Sequence, residues 1–295
     1  MEWSLQLIKG FQKNEPLRKS FNELAEGIFG LNFEQWYQQG YWTDKYVPYS
    51  FVLNDQIIAN VSVNKLNLVV NHERKATIQI GTVMTHPDYR IQGLSARLMN
   101  QVLEDYEGKY DLMYLFANRS VLEFYPKFGF YSMDETQFSM KVNGEGNREK
   151  SIRKLDVQKP DDLRFIYDRA GQRVSVSRMF GTIDAAELLM FYVTYVFPQD
   201  IYYLEHDDVI VICKHDSHEL HLYDVISRTL VDLNRIINEL MTKETTEVIF
   251  HFTPDDQSLP LIRATYKGND NVLFVKHQGA FHFPEHFKHP LTSQA

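Results

Sequence analysis

The chain has 295 residues, 44% hydrophobic and 24% charged, with a formal charge of −8 at neutral pH. This length suits two domains and a core that needs neither disulfides nor metal. The acidic balance, with no basic stripe to offset it, argues against nucleic acid as a partner. A single cysteine, Cys213, sits in the apolar run Val209–Cys213. One thiol excludes an internal disulfide framework and fits a reducing, cytoplasmic setting, and on a strand it reads as a buried side chain rather than a nucleophile. The first residues, Met1–Ser4, lack a basic segment leading into an apolar one, so no secretory signal is expected. No stretch approaches the ~18 apolar residues of a membrane span, and no membrane partner is expected.

In chain order, Glu15–Phe29 is the first periodic segment, with Pro16 in its first turn and Leu17, Phe21, Leu24 and Ile28 on one face of a helix. The aromatic cluster Phe33, Trp36, Tyr37, Tyr41 and Trp42 follows, and such spacing reads mainly as core. Tyr49–Leu53, Gln56–Val70 and Lys75–Thr85 read as strands, the last two joined as a hairpin at His72–Arg74. The period then changes to 3.6: Leu94, Leu98, Met99, Val102, Leu103 and Tyr106 define a helix from Gly93 to Tyr106. A short strand Leu112–Phe116, a short helix Ser120–Lys127 and a strand through Phe130–Met140 come next. The polar, glycine-bearing run Asn143–Asn147 marks the expected boundary between a domain of residues 1–145 and one of residues 146–295.

The second half repeats this order weakly. Ser151–Val157 reads as a strand, Pro160–Ala170 and Ala185–Phe197 as helices, and Ile201–Glu205, Val209–His215 and Glu219–Ile226 as strands. A helix with Leu230, Leu233, Ile237 and Leu240 on one face then leads to a strand at Glu247–Phe252. Two copies of one α/β fold are therefore expected. The late histidines His277, His282, His286 and His289 match no metal-ligand spacing, so no metal is expected.

The chemistry concentrates where the strand ending at Thr85 meets the helix entered at Gly93. A helix N-terminus offers unpaired backbone N–H groups and a positive dipole end, which suits phosphate. Gly93 allows close backbone approach, and Arg90 can add charge-assisted hydrogen bonds. The run Thr85-His-Pro-Asp-Tyr-Arg90-Ile-Gln-Gly93-Leu-Ser95 resembles the Arg/Gln-x-x-Gly-x-Gly/Ala signature of the GNAT superfamily of N-acetyltransferases. Downstream, Asn118 and the run Phe124-Tyr125-Pro-Lys-Phe-Gly129-Phe130 resemble its second motif at the family's separation. The resemblance is strong over residues 40–140 and implies a GNAT fold: a mixed central sheet flanked by helices, here followed by a degenerate second copy.

The resemblance further implies acetyl-CoA as acetyl donor and a primary amine of a small molecule or peptide as acceptor. The backbone of Val83, Met84 and Thr85 would pair with the pantetheine arm. Arg90 and the loop and helix amides of Ile91, Gln92, Gly93, Leu94, Ser95 and Ala96 would hold the pyrophosphate. Asn118 would contact the cofactor, and Tyr125 would act as general acid toward the departing thiolate. Asn118 also reads as a plain helix cap, and Tyr125 as a core aromatic. Two residues depart from the family pattern: Ile91 and Ser95 stand where glycine, or glycine or alanine, is usual. No acid lies on Lys75–Thr85, and Met113 occupies the position on the next strand. The base is therefore open between a water chain, Glu26 or Glu34, and an amine that arrives neutral. Some tandem relatives of the enhanced intracellular survival type place the terminal carboxylate at the active site, which puts Ala295 among the candidates. The second half has no counterpart of Arg90-x-x-Gly93; its turn reads Ile226-Ser-Arg-Thr-Leu230. It is expected to shape the acceptor cleft or a homodimer contact. The alternative to an enzyme is an acyl-CoA sensor or interaction module with little turnover.

Overall fold

The computed structural model describes residues 5–144, 152–256, 258–268 and 271–295. Its first half opens with β1 (Gln6–Lys9), α1 (Glu15–Phe29), α2 (Glu34–Gln38), β2 (Tyr46–Leu53), β3 (Gln56–Val70) and β4 (Glu73–Thr85). It continues with α3 (Leu94–Asp105), β5 (Leu112–Asn118), β6 (Tyr131–Met133) and β7 (Thr136–Lys141). The second half comprises β8 (Ile152–Lys154), α4 (Pro160–Gly171), β9 (Phe180–Ile183), α5 (Ala186–Phe191), β10 (Ile201–Leu204), β11 (Val209–Asp216) and β12 (Glu219–Ile226). It ends with α6 (Leu233–Leu240), β13 (Glu247–Phe250), β14 (Ile262–Thr265) and β15 (Asn271–His277).

Local chemistry sets the helix ends. Asn14 accepts a hydrogen bond from the Leu17 amide at the start of α1, and Gly30 closes that helix in the left-handed conformation. Between Ser120 and Lys127, where one short helix was expected, the chain makes two 3₁₀ turns, Arg119–Val121 and Tyr125–Phe128. Pro126 supplies no N–H to a longer helix, and Gly129 at φ +81° ends the second turn. The apolar run Ala185–Phe197 is α-helical only to Phe191 and continues as a π-helical turn, with Phe197 N–H bonded to the Tyr192 carbonyl.

Two sheets form, with the orders β1-β2-β3-β4-β5-β15-β6 and β14-β7-β13-β12-β11-β10-β8. β9 adds to the first sheet through the far end of β3. Read from β8, the second sheet repeats the first. Neighbours are antiparallel except at one step, β4 with β5 in the first and β12 with β13 in the second. The α/β fold repeats as expected, with one exchange. The strand beside β5 is β15, from the second half, and the strand beside β13 is β7, from the first. The expected single strand Phe130–Met140 is thus divided: β6 stays in the first sheet and β7 crosses to the second. The break falls at Glu135, whose buried carboxylate lies 3.3 Å from the equally buried Lys288 Nζ and accepts the His289 N–H at 2.8 Å. Of the expected boundary run Asn143–Asn147, residues 145–147 lie outside the described residues.

The aromatic cluster after α1 forms part of the joint between the halves. Trp36 Nε1 donates to the Glu187 carbonyl at 2.8 Å, Phe33 stacks on Phe191 at 5.4 Å, and Tyr41 meets Tyr167 at 5.0 Å. One core cluster contains Phe21, Trp36 and Trp42 together with Ile166, Met190 and Ile210. Cys213 is buried in a second-sheet core, and burial pushes its thiol up to about 12, so it stays protonated and inert at neutral pH.

Candidate active site

The site begins with a failure of strand pairing. β4 and β5 run parallel from Thr77 to Ile80 against Leu112 to Leu115, and no further. β4 continues to Thr85 and β5 to Asn118, so the two strands open a V-shaped split. On its other side β4 carries a bulge: Ser62 pairs with Gly81 and Asn60 with Met84, which leaves one extra residue on β4. Thr82 absorbs it at φ +48°, and the buried Asn60 Nδ2 donates to the Thr82 carbonyl at 2.8 Å. A bulge twists its strand and frees backbone groups from the ladder. Here it does so at Thr82–Val83, where the split opens.

A cavity of about 830 Å³ occupies the split. It is lined by Gly81, Thr82, Val83, Met84 and Thr85 on the β4 side and by Phe116, Asn118 and Tyr125 on the other, with Arg90 also in the wall. The strand alternation of Val83 and Met84 sends their side chains to different cores, leaving their backbone on the cavity.

Beyond Thr85 the chain turns through Pro87–Tyr89 into α3. Gly93 is the N-cap at φ +74°, and no side chain caps the helix. The first intrahelical bond runs from Arg97 N–H to the Gly93 carbonyl, so the amides of Leu94, Ser95 and Ala96 have no helical partner. Arg90 Nε approaches the Thr85 carbonyl at 3.3 Å. Ser95, at the unusual position, shares a 2.6 Å hydrogen bond with the Thr85 hydroxyl and so fastens the helix entrance to β4. Ile91 is fully exposed at φ +63°, a conformation that disfavours a β-branched residue and explains why glycine suits this place. Gln92 is exposed beside it, whereas the Leu94 side chain is buried in the core, so only its backbone is available.

Tyr125 is held among Phe124, Phe130 and Phe274, with ring centroids 5.1, 6.4 and 5.8 Å away. Burial pushes its phenol up to about 12. It therefore keeps its proton at any ordinary pH, the state a general acid requires. Asn118 Oδ1 accepts the Ser120 N–H at 3.0 Å: it caps the following turn and lines the cavity as well.

A family model described as an acetyltransferase (GNAT) domain matches residues 9–133, the segment that builds this split, bulge and helix entrance. Residues 9–133 are a GNAT acetyltransferase domain. No curated protein matches the sequence. Among solved structures the chain resembles a conserved Enterococcus faecalis protein of unknown function described as a probable N-acyltransferase. That match has a TM-score of 0.60 and 14% identity, over 93% of this chain and 72% of that one. A GCN5-related N-acetyltransferase from Kribbella flavida matches with a TM-score of 0.60 and 15% identity, over 93% and 71% of the two chains. Eis1 from Mycobacterium abscessus matches with a TM-score of 0.60 and 13% identity, over 92% and 73%. At these identities the likeness establishes the fold, which extends the GNAT plan over both sheets.

The second GNAT-like sheet has the same kind of split, and the C-terminal segment fills it. β12 and β13 pair from Glu219 to Leu222 against Glu247 to Phe250. Beyond that point Leu291 N–H bonds the His251 carbonyl at 3.0 Å, and Thr292 Oγ1 donates to Asp224 of β12 at 2.6 Å. Arg173 grips the same buried Asp224 through two nitrogens, at 2.8 and 2.6 Å. Ser293 bonds Thr182 at 2.7 Å, and Tyr192 Oη donates to the Gln294 carbonyl at 2.7 Å. This segment delivers Ala295 to the first cavity, where a Cβ added to Gly81 would lie 3.0 Å from the Ala295 carbonyl carbon. Gly81 is therefore the residue that makes room for Ala295.

Neither side-chain candidate for the base lines the cavity. Glu34 is gripped by Arg18 at 2.7 Å and by Gln38 at 2.7 Å, and the bond to Arg18 holds its carboxyl below the usual range. Glu26 is exposed and approaches Asn32. The involvement of Gly81, Tyr192 and the Gln294–Ala295 backbone was not legible from any local pattern.

Proposed function

We propose that this chain is an acetyl-CoA-dependent N-acetyltransferase that moves the acetyl group to a primary amine by direct attack on the thioester. The observation that carries the reading is the β4–β5 split, lined by a bulged, partly unpaired strand and by Tyr125, with the uncapped start of α3 following β4 after a short turn. The amides of Leu94, Ser95 and Ala96, with Arg90, would take the pyrophosphate. The backbone of Val83–Thr85 would pair with the pantetheine amides.

The amine nitrogen forms a bond to the thioester carbon, and the carbonyl electrons move to oxygen, where a β4 N–H can stabilise the charge. As that intermediate collapses the C–S bond breaks, and the thiolate takes the Tyr125 proton. The amine must also lose a proton. In a chain that ends at Ala295, the carboxylate over Gly81 is the acceptor that the geometry offers.

The test is release of free CoA thiol from acetyl-CoA with a panel of amines, followed against pH. A group with a raised pKa stays protonated until pH passes that value, so an acid at about 12 imposes no alkaline limit on activity in the working range. kcat/KM should rise as the amine loses its proton and show no fall before about pH 10. A fall in activity with a midpoint near 9–10, not traced to unfolding, would contradict a Tyr125 phenol held at about 12 by burial. Acetyl-CoA binding without thiol release for any amine would instead favour the acyl-CoA sensor.

A further inference from the structure

We propose that the acceptor is a small primary monoamine on an apolar, aromatic-sized body, and not a polycation. This rests on the N-acetyltransferase reading above and identifies what that cavity admits. Beside Gly81 and Ala295, the acceptor side of the cavity includes Leu31, Phe33 and Trp36 of the first half and Leu188, Phe191 and Tyr192 of the second, with Asn64 its polar side chain. The rings form a fixed surface: Phe33 stacks on Phe191 at 5.4 Å, and Trp36 stands edge-on to Phe191 at 6.4 Å. The Trp36 and Tyr192 polar atoms are already used, on the Glu187 and Gln294 carbonyls.

No Asp or Glu side chain is among the described residues lining the cavity. Of the acids on the flanking helices, Glu34 is held by Arg18 at 2.7 Å and Glu187 by Lys45 at 2.8 Å, and the exposed Glu26 is not among the lining residues. A second ammonium entering with the reacting amine would lose its hydration and gain no carboxylate. An aryl or branched alkyl body, by contrast, exchanges water for ring surface. The site therefore selects one cationic nitrogen, at the Gly81–Ala295 end, and an uncharged remainder.

The experiment compares phenethylamine and tryptamine with spermidine, an aminoglycoside and a lysine peptide in the thiol-release assay on the full chain. In parallel, calorimetry measures phenethylamine and spermidine binding in the presence of CoA. The arylalkyl amines should show kcat/KM at least about tenfold above every polycation. Leu188→Glu, which places a carboxylate in the wall at a half-buried position, should move the spermidine-to-phenethylamine ratio upward at least about fivefold. A polycation or lysine peptide equal to or better than the arylalkyl amines would overturn the proposal. If no amine is acetylated, the N-acetyltransferase reading falls. Binding then decides the cavity's preference: phenethylamine binding without spermidine binding upholds it, and the reverse, or neither, overturns it.

Discussion

Tyr125→Phe is expected to lower the rate of acetyl transfer ~10²–10⁴-fold, the range a positioned general acid contributes. Acetyl-CoA affinity should change little, because the hydroxyl acts on the departing thiolate and not on the bound ground state. The substitution is a clean probe, since the ring packs against Phe124, Phe130 and Phe274 and a phenylalanine ring fills the same space. A purely structural tyrosine gives the opposite pattern, with turnover unchanged and stability slightly altered. Single-turnover measurement keeps slow product release from masking the chemical step. A rate within about threefold of wild type would remove Tyr125 from the mechanism, since loss of a general acid should exceed that.

The second large effect concerns Gly81. A valine there suits a strand, but its first carbon already stands 3.0 Å from the Ala295 carbonyl carbon and 3.2 Å from the oxygen, so its methyl groups must displace Ala295. Gly81→Val is expected to lower kcat by ~10²-fold or more, the scale of a lost general base. In a chain that ends at Ala295, two glycines appended after it turn its carboxylate into an amide without touching β4, and should reproduce the loss. Both proteins should still bind acetyl-CoA, because neither change reaches the amides at α3, so the loss should appear in kcat. Full activity in both would exclude Ala295 and return the proton to solvent or to an amine that arrives neutral.

What could be read from the sequence was whatever is encoded locally. The change from period two to period 3.6 between Thr85 and Leu94 placed the strand that lines the cavity and the helix that follows it, and Pro16 marks the first turn of α1. The exchange of β7 and β15 left no such trace. Phe130–Met140 reads as one strand because Asp134-Glu135 contains neither glycine nor proline, and its break is fixed by Lys288 and His289, more than 150 positions away. β15 is apolar from Val272 to Val275 and lies between two neighbours, so it lacks the alternation of a half-exposed strand. The C-terminal segment has no periodicity at all. Its course is set by Asp224, Thr182 and Tyr192, and for that reason Ala295 could be named as a candidate but not placed. Glu34, one of the alternatives for the base, could not be weighed locally either, since its partner Arg18 lies on α1 and the pairing appears only in three dimensions.

The central claim is that the acetyl donor is held in the β4–β5 split with its pyrophosphate on the start of α3. Calorimetric titration of acetyl-CoA into the wild-type chain and into Gly93→Glu tests it most directly. Nothing lies within 4 Å of a Cβ at Gly93, although φ +74° will cost a side chain some strain, so the glutamate adds a negative charge at the anion site without a clash. With the second split filled by the C-terminal segment, the wild-type chain should bind one acetyl-CoA. Gly93→Glu should weaken binding at least about tenfold while its circular dichroism and melting remain those of a folded protein. Unchanged affinity in a folded Gly93→Glu, or two equivalent sites per wild-type chain, would contradict the account.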